Sequence, residues 1–284
     1  MRYGVRLIII KYAKYLLLLI QGSKLPYMRH TEGHVSHEIQ HGIATIEFFH
    51  PSSNSLPAAI LSDLAKTIND IGIDNRVKVI VLRSAGDRAF CAGASFDELM
   101  AISTEAEGKK FFSGFAHVIN AMRKCHKLII GRVQGKAVGG GVGLIAATDY
   151  AIATDDSAVK LSELAVGIGP FVVGPAVERK VGVSGFTQLA IDATEWRSAE
   201  WAKRHGLYSE VHKTILEVDD SVQGLAERLA HSSPEAMAQL KKIFWQGTEN
   251  WDTLLSERAA ISGHLVLSDF TRHAINKFKA KPAK

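Results

Sequence analysis

Three short stretches combine small residues with carboxylates, types that could hold a negative charge and move a proton. They are residues 88–97 (RAFCAGASFD), 134–149 (QGKAVGGGVGLIAATD) and 160–174 (KLSELAVGIGPFVVG). In the first, the chain turns through Gly93 between two alanines, and such small residues let backbone N–H groups approach a ligand closely. A simple tight turn would also explain this stretch when it is taken alone.

The second stretch carries three consecutive glycines after a predicted strand and before a helix of small residues. Free N–H groups at a helix start can bind an anion or a developing oxyanion. A dinucleotide-binding turn is the alternative, because Gly141, Gly143 and Ala146 match G-x-G-x-x-A. A dinucleotide-binding unit also needs an acid about 20 residues later, at the end of its second strand, and Glu163 is near that distance. However, no full helix precedes the strand that leads to Glu163, which weakens this alternative. A P-loop is excluded, since no Gly-Lys-Ser/Thr follows.

The third stretch places Glu163 between a strand and an apolar run. A surface glutamate at a helix start is the plain interpretation of this residue. However, the eleven residues that follow it, LAVGIGPFVVG, carry no charge. A carboxyl group beside such an apolar surface would be poorly solvated and would have a raised pKa, which suits a general base.

Alternating strands and helices must position these stretches. Short apolar or β-branched runs predict strands at 42–48, 78–82, 128–133, 149–154 and 158–161. Helices are predicted at 57–71, with Ser55 near the cap and Pro57 in the first turn, and at 105–124. After residue 210 the pattern is helical, at 217–231, 234–246 and 251–278. This order predicts an α/β fold with right-handed crossovers, divided into a core at 28–210 and a helical region at 211–284.

Composition narrows the classes of function. The chain has 284 residues, 34 Lys+Arg, 29 Asp+Glu and two cysteines. The positive excess lies entirely in residues 1–27, so the rest is neutral and lacks the charge pattern of a nucleic-acid-binding protein. Two cysteines indicate a reducing compartment rather than a disulfide framework, so we expect a cytoplasmic protein.

Residues 1–27 are basic and contain an apolar run broken by Lys11 and Lys14. The run is too short and too charged to span a membrane, which takes roughly 20 apolar residues. Our interpretation is that translation starts at Met28 and that the preceding residues are a non-native upstream extension. A signal peptide and a basic amphipathic membrane anchor are the alternatives. No stable membrane association is expected.

Taken in order, the three stretches resemble the crotonase superfamily of enoyl-CoA hydratases and isomerases, from about residue 40 to the end. AFCAGAS is similar to the family's AFCAGAD, AVGGGVGLIAATD to its ALGGGCELALACD, and LSELAVGIGP to its PEINLGIIP. Residues 54–56 (NSL), after Pro51, resemble its Asn-Ala-Leu motif. The resemblance implies a spiral ββα core and a C-terminal helical region that builds a homotrimer or a dimer of trimers.

The resemblance also implies the site. The backbone N–H groups of Ala94 and Gly140 would grip the thioester carbonyl of an acyl-CoA substrate, and Glu163 would be the catalytic carboxylate. The residues expected to line the CoA thioester site are Ala92, Ala94, Ser95, Phe96, Asp97, Gly140 and Phe171. Coenzyme A is then part of the substrate, and we expect no separate cofactor, metal or nicotinamide.

Two departures from the family pattern bear on the reaction. Family hydratases use two glutamates to activate water, and the first would fall at Gly143, which cannot do so. Residues 170–173 (PFVV) replace the glycine-rich turn of many hydratases, and their bulky apolar side chains would exclude water from the pocket. A single glutamate followed by Pro-Phe resembles the mitochondrial Δ3,Δ2-enoyl-CoA isomerases, so we expect Glu163 to move a proton from C2 to C4.

Several alternatives stay open at this point. A hydratase could use Asp97 or Glu98 as its second acid, although both also suit a solvated helix start. A non-catalytic protein that binds acyl-CoA is a further alternative, favoured by Gly143 and opposed by Glu163.

Other residues have plainer interpretations. His30, His34, His37 and His41 have spacings that could bind a metal, but an exposed, mobile N-terminal stretch is preferred. Cys91 is expected to be a small buried thiol. The tryptophans Trp196, Trp201, Trp245 and Trp251 are predicted to lie in helices, at core or subunit contacts.

Overall fold

A six-stranded sheet forms the centre of the fold, accompanied by a four-stranded and a two-stranded sheet. The computed structural model describes residues 33–279, with side chains as far as residue 277, and the predictions for residues 1–27 and His30 lie outside this range. The strands in chain order are β1 His34–Gln40, β2 Ile43–Phe49, β3 Ser55–Leu56, β4 Val79–Ser84, β5 Ala89–Cys91, β6 Gly93–Ala94, β7 Leu128–Val133, β8 Lys136–Val138, β9 Tyr150–Thr154, β10 Ala158–Lys160, β11 Arg197–Ser198 and β12 Glu210–His212.

Helices connect the strands and form the C-terminal region. They are α1 Ala58–Gly72, α2 Phe96–Ala101, α3 Glu105–Lys124, α4 Gly140–Ala147, α5 Gly174–Ile191, α6 Ala199–Arg204, α7 Ile215–Ala230, α8 Pro234–Phe244, α9 Trp251–Leu265 and α10 Asp269–Lys279, with a 3-10 turn at Leu164–Val166. None of the helices that the structure describes has the length and apolar content needed to cross a bilayer.

The large sheet has the order β1-β2-β4-β7-β9-β12, and only its first pair of strands is antiparallel. Its central strands are buried on both faces. In β4, Ile80 and Leu82 enter the main core, while Val79 and Val81 meet a second apolar cluster that includes Val218 of α7. Burial on both faces explains why this strand was predicted from a nearly continuous β-branched run.

Most predicted elements are confirmed. The helix at 105–124 and the strand at 128–133 have the predicted bounds, and the α/β class is correct. The predicted helix at 251–278 is instead two helices, α9 and α10. Pro57 is the N-cap of α1 rather than part of its first turn, and its side chain makes no capping bond.

Two predictions about other residues are wrong. Residues 34–40 were expected to be mobile, but they form β1 and pair in register with β2, where His34 packs against Phe49 with ring centroids 5.6 Å apart. Trp196 was placed in a helix, but it lies directly before β11 and is 38% exposed. Trp245 lies at the C-cap of α8 and is buried, as is Trp251.

Candidate active site

A cavity of about 490 Å³ lies where the three glycine-containing stretches meet. Its walls come from residues 92–94 with Phe96 and Leu99, from the start of α4, from the segment 160–173 and from one side of α3. Six of the residues expected from the sequence line it: Ala92, Ala94, Phe96, Gly140, Glu163 and Phe171. Elements distant in sequence therefore bring these predicted residues together.

The backbone of Ala94 is held by the segment that resembles the Asn-Ala-Leu motif. Leu56 pairs with Ala94 across the parallel strands β3 and β6, and the Ser55 hydroxyl donates a hydrogen bond of 2.8 Å to the Ala94 carbonyl. The Ser95 N–H donates to the Leu56 carbonyl at 3.1 Å. Because successive N–H groups of an extended chain point to opposite sides, the Ala94 N–H points away from β3.

Asn54 fixes the approach to this strand pair. It is buried, has a φ of 56°, and its side-chain amide donates to the carbonyls of Ala85 and Ala89 at 2.9 and 3.0 Å. Its side-chain oxygen accepts from the His50 N–H at 2.8 Å. These bonds tie the end of β2 to the loop that leads into β5.

The second amide, that of Gly140, lies at the N-terminus of α4. Gly139 precedes the helix with a φ of 51°, and its carbonyl accepts from the N–H groups of Val142 and Gly143 at 3.0 and 3.2 Å. The N–H groups of Gly140 and Gly141 precede the first helical bonds, and the helix dipole favours negative charge beside them.

The two glycine-containing bends lie close together. A Cβ built on Gly93 would lie 3.8 Å from the Gly140 nitrogen and 3.1 Å from the Val138 carbonyl oxygen. Gly93 has a φ of +91°, so a side chain there would also be strained. Ala94 directly follows Gly93. The two predicted donors, the N–H groups of Ala94 and Gly140, therefore belong to neighbouring backbone segments on the cavity wall.

Glu163 follows β10 and immediately precedes the 3-10 turn. Its carbonyl accepts from the N–H groups of Val166 and Ile168 at 3.2 and 3.0 Å, which closes the turn. The residue as a whole is half-buried, but its Oε2 atom is shielded from solvent and has no hydrogen-bond partner. Burial raises the pKa of Glu163 to about 7. A carboxyl with this pKa is ionised in part near neutral pH and can both accept and return a proton.

The absence of a side chain at Gly139 leaves room for the carboxyl group of Glu163. A Cβ built on Gly139 would lie 2.9 Å from Glu163 Oε1 and 3.3 Å from its Cδ. The carboxyl therefore lies beside the residue that precedes the Gly140 amide. Sequence reasoning gave Gly139 no separate role, although the glycine triplet contained the signal.

The space beside Gly143 is filled by the segment 170–173. A Cβ built on Gly143 would lie 2.5 Å from Val173 Cγ1 and 3.6 Å from Ile119 Cδ1. Position 143 is where the resemblance places the first hydratase glutamate. The two departures from the hydratase pattern are thus in contact, and Val173 leaves no room for a side chain at 143.

Aromatic side chains of α3 form another wall that sequence reasoning missed. Phe111, Phe112 and Phe115 line the cavity, and the Phe115 ring occupies the space that a Cβ on Gly140 would need. The helix approaches α9 closely because Gly108 and Gly263 lie at the crossing, where a Cβ on Gly108 would be 2.7 Å from Gly263 Cα. The spacing of the three phenylalanines on a predicted helix was the available signal.

Three polar residues near the bend do not contribute side chains to the cavity wall. The Ser95 hydroxyl caps α2 by accepting from the Glu98 N–H at 3.3 Å, and Asp97 is exposed. Glu98 Oε2 accepts from the Ala58 N–H at 2.9 Å and so caps α1. The prediction that Ser95 and Asp97 line the cavity is not supported by their positions. Among the described residues that line the cavity, Glu163 is the single acid.

The dinucleotide alternative conflicts with the packing of its glycines. Gly141 and Gly143 are buried within α4 rather than in a loop before it, and Cβ atoms on them would strike Cys91 and Val173. Cys91 is itself buried, and burial raises the pKa of its thiol to about 12. An inert structural thiol was the expected role of this residue.

Comparisons with known proteins agree with this geometry. Residues 38–279 match the family model described as enoyl-CoA hydratase/isomerase. The short-chain-enoyl-CoA hydratase of Clostridium acetobutylicum is 26% identical over 242 residues, which cover 84% of this chain and 92% of the relative. The peroxisomal Delta(3,5)-Delta(2,4)-dienoyl-CoA isomerase of Arabidopsis thaliana is 26% identical over 247 residues, 81% of this chain and 87% of the relative.

A solved structure shows the same fold. The enoyl-CoA hydratase from Bacillus halodurans superposes with a TM-score of 0.79, at 20% identity, over 86% of this chain and 99% of that chain. The match of the family model over most of the chain, together with the crotonase fold, establishes that this protein is an enzyme of the enoyl-CoA hydratase/isomerase family.

Proposed function

We propose that this enzyme converts 3-enoyl-CoA thioesters into 2-enoyl-CoA thioesters, with Glu163 as the single acid–base group. Two observations carry the proposal: the Oε2 atom of Glu163 is buried without a hydrogen-bond partner, and Val173 fills the space beside position 143. Among the described residues on the cavity wall, this carboxyl has no acidic neighbour with which to hold a water.

The first step of the proposed reaction is proton removal. The N–H groups of Ala94 and Gly140 hold the thioester carbonyl oxygen, and the ionised Glu163 takes a proton from C2. The electron pair of that C–H bond moves into the thioester, giving a dienolate whose negative oxygen stays between the two amides. Removal of one such donor typically costs about 3 kcal/mol of transition-state stabilisation.

The second step returns the same proton. The protonated Glu163 delivers it to C4, the double bond shifts from C3–C4 to C2–C3, and the carbonyl re-forms. Atoms and charge balance without water, so an apolar pocket is an advantage. The bulky residues 170–173 and the phenylalanines of α3 serve this purpose by excluding water, which would otherwise add to the product.

Coenzyme A belongs to the substrate in this proposal, and no separate cofactor is required. Residues 92–97 would guide it to the thioester site through their backbone, with Ser95 and Asp97 outside the cavity. We further propose that copies of the chain associate as a trimer or a dimer of trimers through the C-terminal helices. The exposed apolar side chains of α8 support this association: Leu240, Ile243 and Phe244. Light scattering at several protein concentrations tests the oligomer.

The test of the reaction compares Glu163→Gln with Glu178→Gln, a change of an exposed glutamate on α5. We expect the first to lower turnover of a 3-enoyl thioester by at least about a hundredfold, since general bases typically contribute that much or more. The second should behave as wild type. The appearance of the conjugated 2-enoyl product follows the reaction. Near wild-type turnover by Glu163→Gln would disprove the role of this residue.

Hydration is the competing activity, and the name of the Clostridium relative favours it. The structure opposes the two replacement acids considered from the sequence, because Glu98 caps α1 and Asp97 is exposed. Adding crotonyl-CoA and following the loss of its conjugated absorbance distinguishes the reactions. Rapid hydration by the wild-type protein would contradict the isomerase proposal.

A further inference from the structure

Two lysines converge on one tryptophan beside the cavity. The Lys160 ammonium lies 4.5 Å from the centroid of the Trp196 ring, and the Lys136 ammonium lies 4.9 Å from it. Lys160 lines the cavity wall, three residues before Glu163, whereas Lys136 is exposed. The negative face of an indole attracts cations, so Trp196 fixes both ammonium groups in one place.

These two positive charges are not balanced by ion pairs. Among the residues that the structure describes, neither ammonium forms a salt bridge, while the neighbouring Arg197 is paired with Asp192 at 2.7 Å. Burial lowers the pKa of Lys160, Glu195 opposes that effect and Lys136 adds to it. An anionic group of a ligand would offset both the burial and the mutual repulsion.

Sheet topology places this pair on one side of the thioester site. The four-stranded sheet has the order β11-β10-β8-β5, and Lys160 pairs with Val138, just before Gly139. Residues 92–97 follow β5 on the opposite side of β8. If CoA runs along residues 92–97, as the proposed function requires, then Lys160 lies on the other side of β8 from CoA and also lines the cavity that receives the acyl chain.

We propose that Lys160, held by Trp196 and supported by Lys136, recognises a carboxylate at the far end of the acyl chain. The substrate class would then be CoA thioesters of dicarboxylic acids. The inference rests on the proposed function for the direction of the acyl chain. Among the described residues that line the otherwise apolar cavity, Lys160 is the single basic side chain, which makes it a determinant of specificity.

The experiment measures binding of two unreactive saturated thioesters, hexanoyl-CoA and adipoyl-CoA, which differ in the terminal carboxylate. We expect the wild-type protein to bind adipoyl-CoA about tenfold more tightly, the effect of one charge-assisted hydrogen bond in a partly shielded site. Lys160→Met should remove this preference, so that adipoyl-CoA binds no more tightly than hexanoyl-CoA. Binding of hexanoyl-CoA by the variant also shows that it is folded. Lys203→Met, an exposed lysine of α6, is the matched control.

Three results would overturn the inference. Equal binding of the two thioesters by the wild-type protein would show that the terminal carboxylate is not recognised. Equal weakening of both by Lys160→Met would assign the lysine to the phosphates of CoA. Binding of neither would remove the acyl-CoA site altogether. The binding measurements require no proton transfer, so they do not depend on isomerase activity. Failure of the wild-type protein to isomerise 3-enoyl thioesters would therefore refute the proposed function separately.

Discussion

The buried carboxyl of Glu163 should make the enzyme less stable as the pH rises. Its pKa is about 7 in the folded protein and 4.5 as the ordinary value. Below about pH 4.5 both states hold the proton and the group has no effect. Between the two values the folded state holds more protons than the unfolded state, so the free energy of unfolding falls with pH. Above about pH 7 both states are ionised and the folded state bears the full cost.

The size of the effect follows from the pKa difference. A difference of about 2.5 pKa units corresponds to about 3 kcal/mol at high pH, because one unit is about 1.4 kcal/mol. Glutamine at position 163 is neutral at every pH. We therefore expect Glu163→Gln to gain stability relative to wild type as the pH is raised, by about 2–3 kcal/mol between about pH 5 and about pH 8.

Urea unfolding of wild type, Glu163→Gln and the control Glu178→Gln, at equal protein concentration, measures this difference. The exposed control should follow wild type at both pH values. In the same buffers, wild-type kcat/KM should fall about tenfold for each pH unit below about 7, because the carboxylate form is required. A stability difference that does not change with pH, or one that shrinks as pH rises, would refute the conclusion that burial destabilises the ionised carboxylate of Glu163.

Two further predictions concern the packing that holds the site. Gly263→Ala should destabilise the protein by about 1–3 kcal/mol and lower isomerase activity. The new Cβ would lie 2.5 Å from the Lys109 backbone nitrogen and would push α3, with its phenylalanines, away from α9. Thermal unfolding measures this effect, and an unchanged Tm would contradict the prediction. Lys241→Met should cost about 3–5 kcal/mol, since it removes the buried 2.6 Å ion pair with Asp149 and leaves that carboxylate without its cation. Restoration of stability by adding Asp149→Asn to Lys241→Met would support this cause, and a Lys241→Met variant as stable as wild type would exclude it.

The sequence by itself determined the class of fold and most of the secondary structure. Its strongest signals were local and periodic, as in the helix at 105–124 and the β-branched strand that became β4. The strand β1 escaped prediction because its exposed side chains give it little alternation, and its existence depends on pairing with β2. The family resemblance pointed to Ala94, Gly140 and Glu163 as candidate site residues because they lie in short stretches whose glycines are required by the backbone geometry.

Only the tertiary structure decided which side chains face the cavity and what surrounds them. Ser95 and Asp97 were expected to line the site because they are close to Ala94 in sequence. In the structure the Ser95 side chain caps α2 and Asp97 is exposed to solvent. The contact of Val173 with Gly143 joins the start of one helix to the interior of another, and Lys136, Lys160 and Trp196 come together from separate strands and a loop. Local patterns record the backbone conformation of each segment, but contacts of this kind depend on how distant segments pack.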